Sequence, residues 1–151
     1  MTESLHIVCP HCHTTNRVHA NQLASDPSCG SCKKALFTGH PAAFDETAFD
    51  KHIGRSQIPV LVDFWAPWCG PCRQMAPAFE QACARLEPKV RLAKVDTEAV
   101  PALGTRYAIR NIPTLALFNN GQEVARQAGA MSAAGIIRWV ESNPSCSRLF
   151  L

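Results

Sequence analysis

Three Cys-x-x-Cys pairs constrain this chain more than any other feature. Six of its eight cysteines form the pairs Cys9/Cys12, Cys29/Cys32 and Cys69/Cys72, while Cys83 and Cys146 stand alone. Paired cysteines at this spacing hold a metal or exchange electrons as a dithiol. A disulfide scaffold belongs to secreted chains. Residues 1–10 carry Glu3 and His6 and lack an apolar stretch behind basic residues, so no secretory leader is read there. The most apolar run, Ile58–Trp68, is interrupted by Asp63 and is too short to span a bilayer. The expectation is a cytoplasmic protein without a membrane partner, whose cysteines bind metal or perform redox chemistry.

The first two pairs suit metal. Cys9-Pro10-His11-Cys12 and Cys29-Gly30-Ser31-Cys32 lie sixteen residues apart, a spacing typical of zinc sites. Each pair forms a tight knuckle that aims two sulfurs at one point, and four thiolates complete a tetrahedron around one Zn²⁺. Residues 1–38 contain few large apolar side chains, so packing alone cannot fold them and metal binding would supply the missing free energy. Two labile disulfides, or another thiophilic metal, are the alternatives. His6, His11, His13 and His19 are expected to face solvent, because four cysteines already fill the coordination shell. The formal net charge is only +3 with both signs interspersed, and no basic-aromatic face is present, so no nucleic-acid partner is expected.

Beyond a turn-rich join at residues 39–41 the texture changes. Hydrophobic residues make up 46% of the chain, enough for a packed core. Ala42–Phe44 reads as a short edge strand and Asp45-Glu46-Thr47 as helix caps before Ala48, Phe49, His52 and Ile53. Val60–Trp65 reads as a central buried strand. A helix follows from Cys69 to Leu86, with Pro77 expected to kink it. Val90–Asp96 is the next strand, parallel to the previous one. A short helix at 100–107, a hairpin of Thr114–Phe118 and Glu123–Gln127 across Asn119-Asn120-Gly121, and a helix at 132–142 complete the pattern. The fold class is α/β, with a mixed sheet and helices on both faces. Cys83 falls on a buried helical stripe. Cys146 sits in a tail that reads as frayed, and is expected to be an exposed thiol.

The third pair lies where the central strand meets the long helix. A thiolate at Cys69 faces the unpaired N–H groups and positive dipole end of that helix, which lowers its pKa and makes it the nucleophile. Cys72 lies one turn deeper, close enough to attack a mixed disulfide formed at Cys69. Pro71 has no N–H to leave unpaired in the first turn.

The segment Val62-Asp63-Phe64-Trp65-Ala66-Pro67-Trp68-Cys69-Gly70-Pro71-Cys72 closely resembles the active-site segment of thioredoxins. With the two N-terminal pairs ahead of it, the chain resembles the bacterial zinc-containing thioredoxin 2 family. The resemblance implies a thioredoxin fold over residues 42–143, preceded by a zinc-ribbon-like module at 1–38, a linker at 39–41 and a tail at 144–151. It implies that Asp63 is a buried acid exchanging a proton with Cys72, that Lys94 pairs with Asp63, and that Ile112-Pro113 is a cis peptide facing the cysteines. Trp68, Gly70, Pro71, Ile112, Pro113 and Gly129 would form the substrate-binding surface, with Trp65 packed beneath the loop. The implied activity is reduction of protein disulfides. An NADPH-linked thioredoxin reductase would recycle the protein, which would bind no organic cofactor and act as a monomer. An oxidant or isomerase is disfavoured by Gly70-Pro71 between the cysteines. A zinc-dependent binding module without redox chemistry is disfavoured by the intact pair above Asp63. Zinc could be structural or a redox switch.

Overall fold

The computed structural model describes residues 3–151. Two strands, β1 (Ser4–Val8) and β2 (Thr15–His19), form an antiparallel hairpin that begins the N-terminal ribbon. Then follow β3 (Ala42–Ala43), α1 (Glu46–Arg55), β4 (Val60–Trp65), α2 (Gly70–Leu86), β5 (Arg91–Asp96), α3 (Pro101–Arg106), β6 (Thr114–Asn119), β7 (Gln122–Ala128) and α4 (Ala133–Glu141). The five-stranded sheet has the order β3-β5-β4-β6-β7, with β4 parallel to β5 and antiparallel to β6. Among the described residues no helix is long and apolar enough to cross a membrane.

The central strand is β4. Its Val60, Val62 and Phe64 face one layer, where α1 and α3 contribute Phe49, Ile53 and Leu103. Leu61 faces the other layer with Met75, Phe79, Ala82 and Leu86 of α2 and Ile136 and Val140 of α4. Strand residues alternate between faces, so Asp63 and Trp65 share the α2 face with Leu61. Local chemistry sets the boundaries. Asp45 caps α1 by accepting from the Ala48 N–H at 2.8 Å, and Ser132 caps α4 by accepting from Gly135 at 3.0 Å. Asn120 and Gly121 take positive φ values of 52° and 81°, as a two-residue hairpin turn requires. The β6–β7 ladder shifts register between Leu117 and Phe118. α2 runs through Pro77, whose ring is exposed.

The tail corrects an expectation. Residues 147–150 form a 3₁₀ turn, and Cys146 is fully buried in the α2–α4 core, with Phe150 packed against the same cluster. Burial pushes its thiol up to about 11, so it is not exposed and its thiolate is disfavoured. Apolar residues at Cys146, Leu149 and Phe150 give too short a pattern to separate a docked turn from a frayed end.

The ribbon packs on the redox domain. The His6 N–H donates to Gln57 Oε1, and the Gln57 N–H donates to the His6 carbonyl, both at 2.8 Å. Ile58 joins Ile7, Val18 and Leu36 in the ribbon's own core. Arg91, buried at the start of β5, donates to the Val8 carbonyl at 3.1 Å and lies 4.3 Å from the Phe37 ring centroid. Its counter-ion is the buried Glu87 at 3.6 Å, which also accepts from the Gly39 and Leu92 N–H groups. No sequence reading singled out this pair. The available signal was one cation between Val90 and Leu92 at the head of an apolar strand.

Candidate redox site and metal centre

β4 delivers the chain to the loop Ala66–Cys69, and α2 leaves it. Cys69 is the N-cap of α2. Its Sγ accepts from the Cys72 N–H at 3.2 Å, so the sulfur sits on the open donors of the helix start. Cys69 and Cys72 are joined as a disulfide, with Cα atoms 5.2 Å apart. Both are nearly buried, yet Trp68 immediately before them is 68% exposed. Pro71 occupies the first turn, where its missing N–H is harmless. A Cβ on Gly70 would meet nothing, so close packing does not explain that glycine.

The remaining residues implied by the resemblance fall around this pair. Ile112 and Trp65 pack on the cluster of Ala66, Cys69 and Cys72. The Ile112–Pro113 bond is cis, and the Ile112 carbonyl lies 3.7 Å from Cys69 Sγ. Gly129 donates its N–H to the Pro113 carbonyl at 2.9 Å and holds a φ of +96°, which favours glycine. Glu87–Pro88 is a second cis bond, not anticipated from sequence.

Behind the loop, Asp63 is fully buried and neither carboxyl oxygen has a hydrogen-bond partner among the described residues. Burial pushes it up to about 7, and the nearby Lys94 pulls weakly the other way. Lys94 is its cross-strand neighbour in the β4–β5 register, and the Lys94 ammonium lies 4.4 Å from the Trp65 ring centroid. A buried carboxyl poised near neutrality can take and return a proton at physiological pH.

The second candidate site is the ribbon. The sulfurs of Cys9, Cys12, Cys29 and Cys32 all lie within 4.8 Å of one another. Cys9–Cys32 and Cys12–Cys29 are 3.7 Å and 3.6 Å apart. Zinc–sulfur bonds of about 2.3 Å at tetrahedral angles place sulfurs about 3.8 Å apart, so the donor set fits Zn²⁺. The two knuckles match bond for bond. Cys9 Sγ accepts from His11 and Cys12, and Cys29 Sγ accepts from Ser31 and Cys32, at 3.3 Å and 3.5 Å in each case. These donors, with the Asn16 amide, bring Cys29 down to about 6, whereas burial holds Cys9 at about 11. Each knuckle ends on a left-handed residue, His13 at 64° and Lys33 at 70°. His11 and His19 are exposed as expected. His13 is half-buried against the redox domain, which corrects its assignment to solvent.

Comparison with known proteins gives the family of each module. The thioredoxin family model matches residues 40–142, and a model described as thioredoxin 2, N-terminal, a zinc ribbon, matches residues 8–34. The chain is similar to thioredoxin C-3 of Corynebacterium nephridii, 45% identical over 135 residues, which covers 89% of this chain and 92% of that one. It is also similar to thioredoxin 1 of Nostoc sp., 39% identical over 102 residues, covering 68% and 95%. Thioredoxin of Rhodospirillum rubrum is 40% identical over 98 residues, covering 65% and 94%. The chain belongs to the thioredoxin family of protein-disulfide reductases and carries a thioredoxin 2-type zinc ribbon at its N-terminus.

Proposed function

We propose that Cys69 is the attacking thiolate and Cys72 the resolving thiol of a dithiol exchange with protein disulfides. The observation that carries this is Cys69 Sγ at the head of α2, 3.2 Å from the Cys72 N–H and beside the exposed Trp68. The Cys69 thiolate attacks a substrate disulfide. One substrate sulfur leaves as a thiolate and the other is held as a mixed disulfide. Asp63 then takes the Cys72 proton, and the Cys72 thiolate attacks Cys69 Sγ. The second substrate sulfur leaves, the substrate is reduced to two thiols, and Cys69–Cys72 is oxidised to a disulfide. Lys94 keeps the Asp63 anion tolerable when it forms. Trp68, Gly70, Pro71, Ile112, Pro113 and Gly129 present the face on which a substrate segment lies, and Trp65 supports the loop.

An NADPH-linked thioredoxin reductase restores the dithiol, so no organic cofactor resides on the chain. Residues 1–38 hold one zinc ion through Cys9, Cys12, Cys29 and Cys32, ahead of a linker at 39–41, a catalytic domain at 42–143 and a tail at 144–151. Bound zinc would supply a structural cross-link there; the ribbon's buried contacts with Ile58 and Arg91 favour this over a redox switch. The protein works as a cytoplasmic monomer and engages neither nucleic acid nor membrane.

Insulin reduction by the reduced chain tests the redox roles. Cys69→Ser abolishes turnover, because the activated thiol is gone. Cys72→Ser accumulates mixed disulfides on Cys69, since attack proceeds and resolution does not. Loss of activity in Cys72→Ser without trapped adducts refutes the assignment.

A further inference from the structure

β2 carries an asparagine where its alternation asks for an apolar residue. Asn16 pairs with Ile7 across the hairpin and precedes Val18 by two residues, and both of those side chains lie in the ribbon core. Residues so placed share one face of the hairpin, so Asn16 points inward. Asparagine is depleted in strands, and a half-buried amide costs free energy unless its donors and acceptor are matched. Here they are matched. Nδ2 donates to the Thr14 carbonyl at 3.2 Å and to Cys29 Sγ at 3.5 Å, and Oδ1 accepts from the Gly30 N–H at 2.9 Å. A carbonyl only accepts and a main-chain N–H only donates, so one orientation of the amide satisfies all three contacts.

These bonds join the two halves of the metal centre. The Thr14 carbonyl closes the first knuckle by accepting from the Cys9 N–H at 2.9 Å. Gly30 lies inside the second knuckle, between Cys29 and Cys32. One side chain outside the four ligands thus fixes one knuckle to the other. Its contact with Cys29 also breaks the match between them. Cys9 Sγ accepts from the N–H groups of His11 and Cys12. Cys29 Sγ accepts from the equivalent pair, Ser31 and Cys32, and from the Asn16 amide as a third donor. Cys29 is 1% exposed, so water does not stand in for that donor. A buried thiolate keeps its charge on the donors that face it.

We propose that Asn16 is a positioning residue of the metal centre: it ties the Cys9–Cys12 knuckle to the Cys29–Cys32 knuckle, gives the Cys29 thiolate its third donor, and through both helps the chain retain zinc. Asn16 is not itself a ligand. It acts through Cys29 Sγ and through the backbone of both knuckles. The inference rests on Cys9, Cys12, Cys29 and Cys32 binding the metal.

The test uses the full chain loaded with zinc or with cadmium-113. Scalar coupling between an amide proton and cadmium-113 reports an N–H···S hydrogen bond to a ligand sulfur. In the wild-type cadmium form the Asn16 side-chain amide couples to the metal, as do the Ser31 and Cys32 N–H groups. Absence of the Asn16 coupling overturns the proposal. Zinc affinity, by competition with a chromogenic chelator, is then compared in two variants. Asn16→Leu keeps the size of the side chain and removes all three bonds. Asn16→Asp keeps an oxygen for the Gly30 N–H and loses both donated bonds. Each binds zinc about 10–100-fold more weakly than wild type. The Ser31 and Cys32 couplings persist in Asn16→Leu. Wild-type affinity in either variant overturns the proposal. Loss of the Ser31 and Cys32 couplings in Asn16→Leu makes Asn16 a packing residue of β2 and also overturns it. The metal reading fails separately. If the wild-type chain takes up no zinc, the four-cysteine assignment falls and takes this inference with it. If wild type holds one zinc per chain and both variants match its affinity, Asn16 fails alone.

Discussion

The ribbon and the redox domain solve the same problem with unequal means. The redox domain buries two apolar clusters, one on each face of a five-stranded sheet, and each cluster draws on both strands and helices. The ribbon buries Ile7, Val18 and Leu36 around Cys9 and Cys29, and borrows Ile58 from its neighbour. An apolar set that small cannot offset the entropy of ordering the segment. The ribbon therefore depends on a cross-link at its centre and on a docking face. The difference shows where cooperativity should end: loss of the ribbon's supports unfolds the ribbon, and the redox domain loses only what the docking face contributed.

The largest effect that can break this contrast is removal of the metal. Structural zinc in such sites contributes on the order of 10 kcal/mol to folding. Chelation, or Cys29→Ser, should leave the amides of residues 4–36 unprotected in hydrogen exchange while β4, β5 and β6 stay protected. If the ribbon stays protected without metal, or the sheet exchanges with it, the contrast is wrong.

The docking face comes next. Arg91→Ala leaves the buried Glu87 without its counter-ion and removes the bond to Val8, a loss of about 3–5 kcal/mol by denaturant unfolding. Arg91→Met with Glu87→Gln should recover most of it, since the buried charges disappear together. The ribbon of Arg91→Ala should also exchange faster than wild type.

Within the redox domain the expected change runs the other way. Asp63 ionises near 7 in the folded chain against an ordinary 3.8. Between those values the unfolded chain releases its proton and the folded chain keeps it, so stability falls as pH rises from about 4 to about 7 and is level above that. Asp63→Asn should therefore stabilise the protein by about 4 kcal/mol at pH 8 and by almost nothing at pH 4. Thermal melts at the two pH values read this directly. The smallest effect sharpens the comparison of the two knuckles. Lys33→Gly relieves a left-handed backbone whose side chain makes one exposed contact, and should stabilise the ribbon by about 1 kcal/mol.

Much of this was legible in the sequence for physical reasons. Val60–Trp65 reads as a buried strand because apolar residues run through both of its faces, and Asp63 marks itself as the one carboxyl inside that run. Cys69 reads as a helix start because Pro71 and the apolar stripe of α2 fix where the helix begins. Each knuckle carries its two ligands within four residues, so the metal centre is a local pattern brought together once. Arg91, Glu87, Gln57 and His52 were not legible as a group. They lie on α1, on β5 and in the loops before β4 and β5, and their common purpose appears only when the ribbon is seated on them. His13 failed for a related reason: a histidine beside a full coordination shell has no local signal that its ring turns toward a neighbouring domain.

The sheet's two edges also bear on how copies of this chain meet. β3 offers two residues at one edge, too few to template a partner strand. β7 is seven residues long at the other, but it is bulged against Leu117 and Phe118, and its Arg126 is tied to Glu123 and to the Tyr107 carbonyl. A twisted edge carrying a fixed ion pair resists edge-to-edge pairing. Concentrated, the folded protein should thus be guarded against growth of intermolecular sheet at either end, with the bulge acting as a stop built into the register itself.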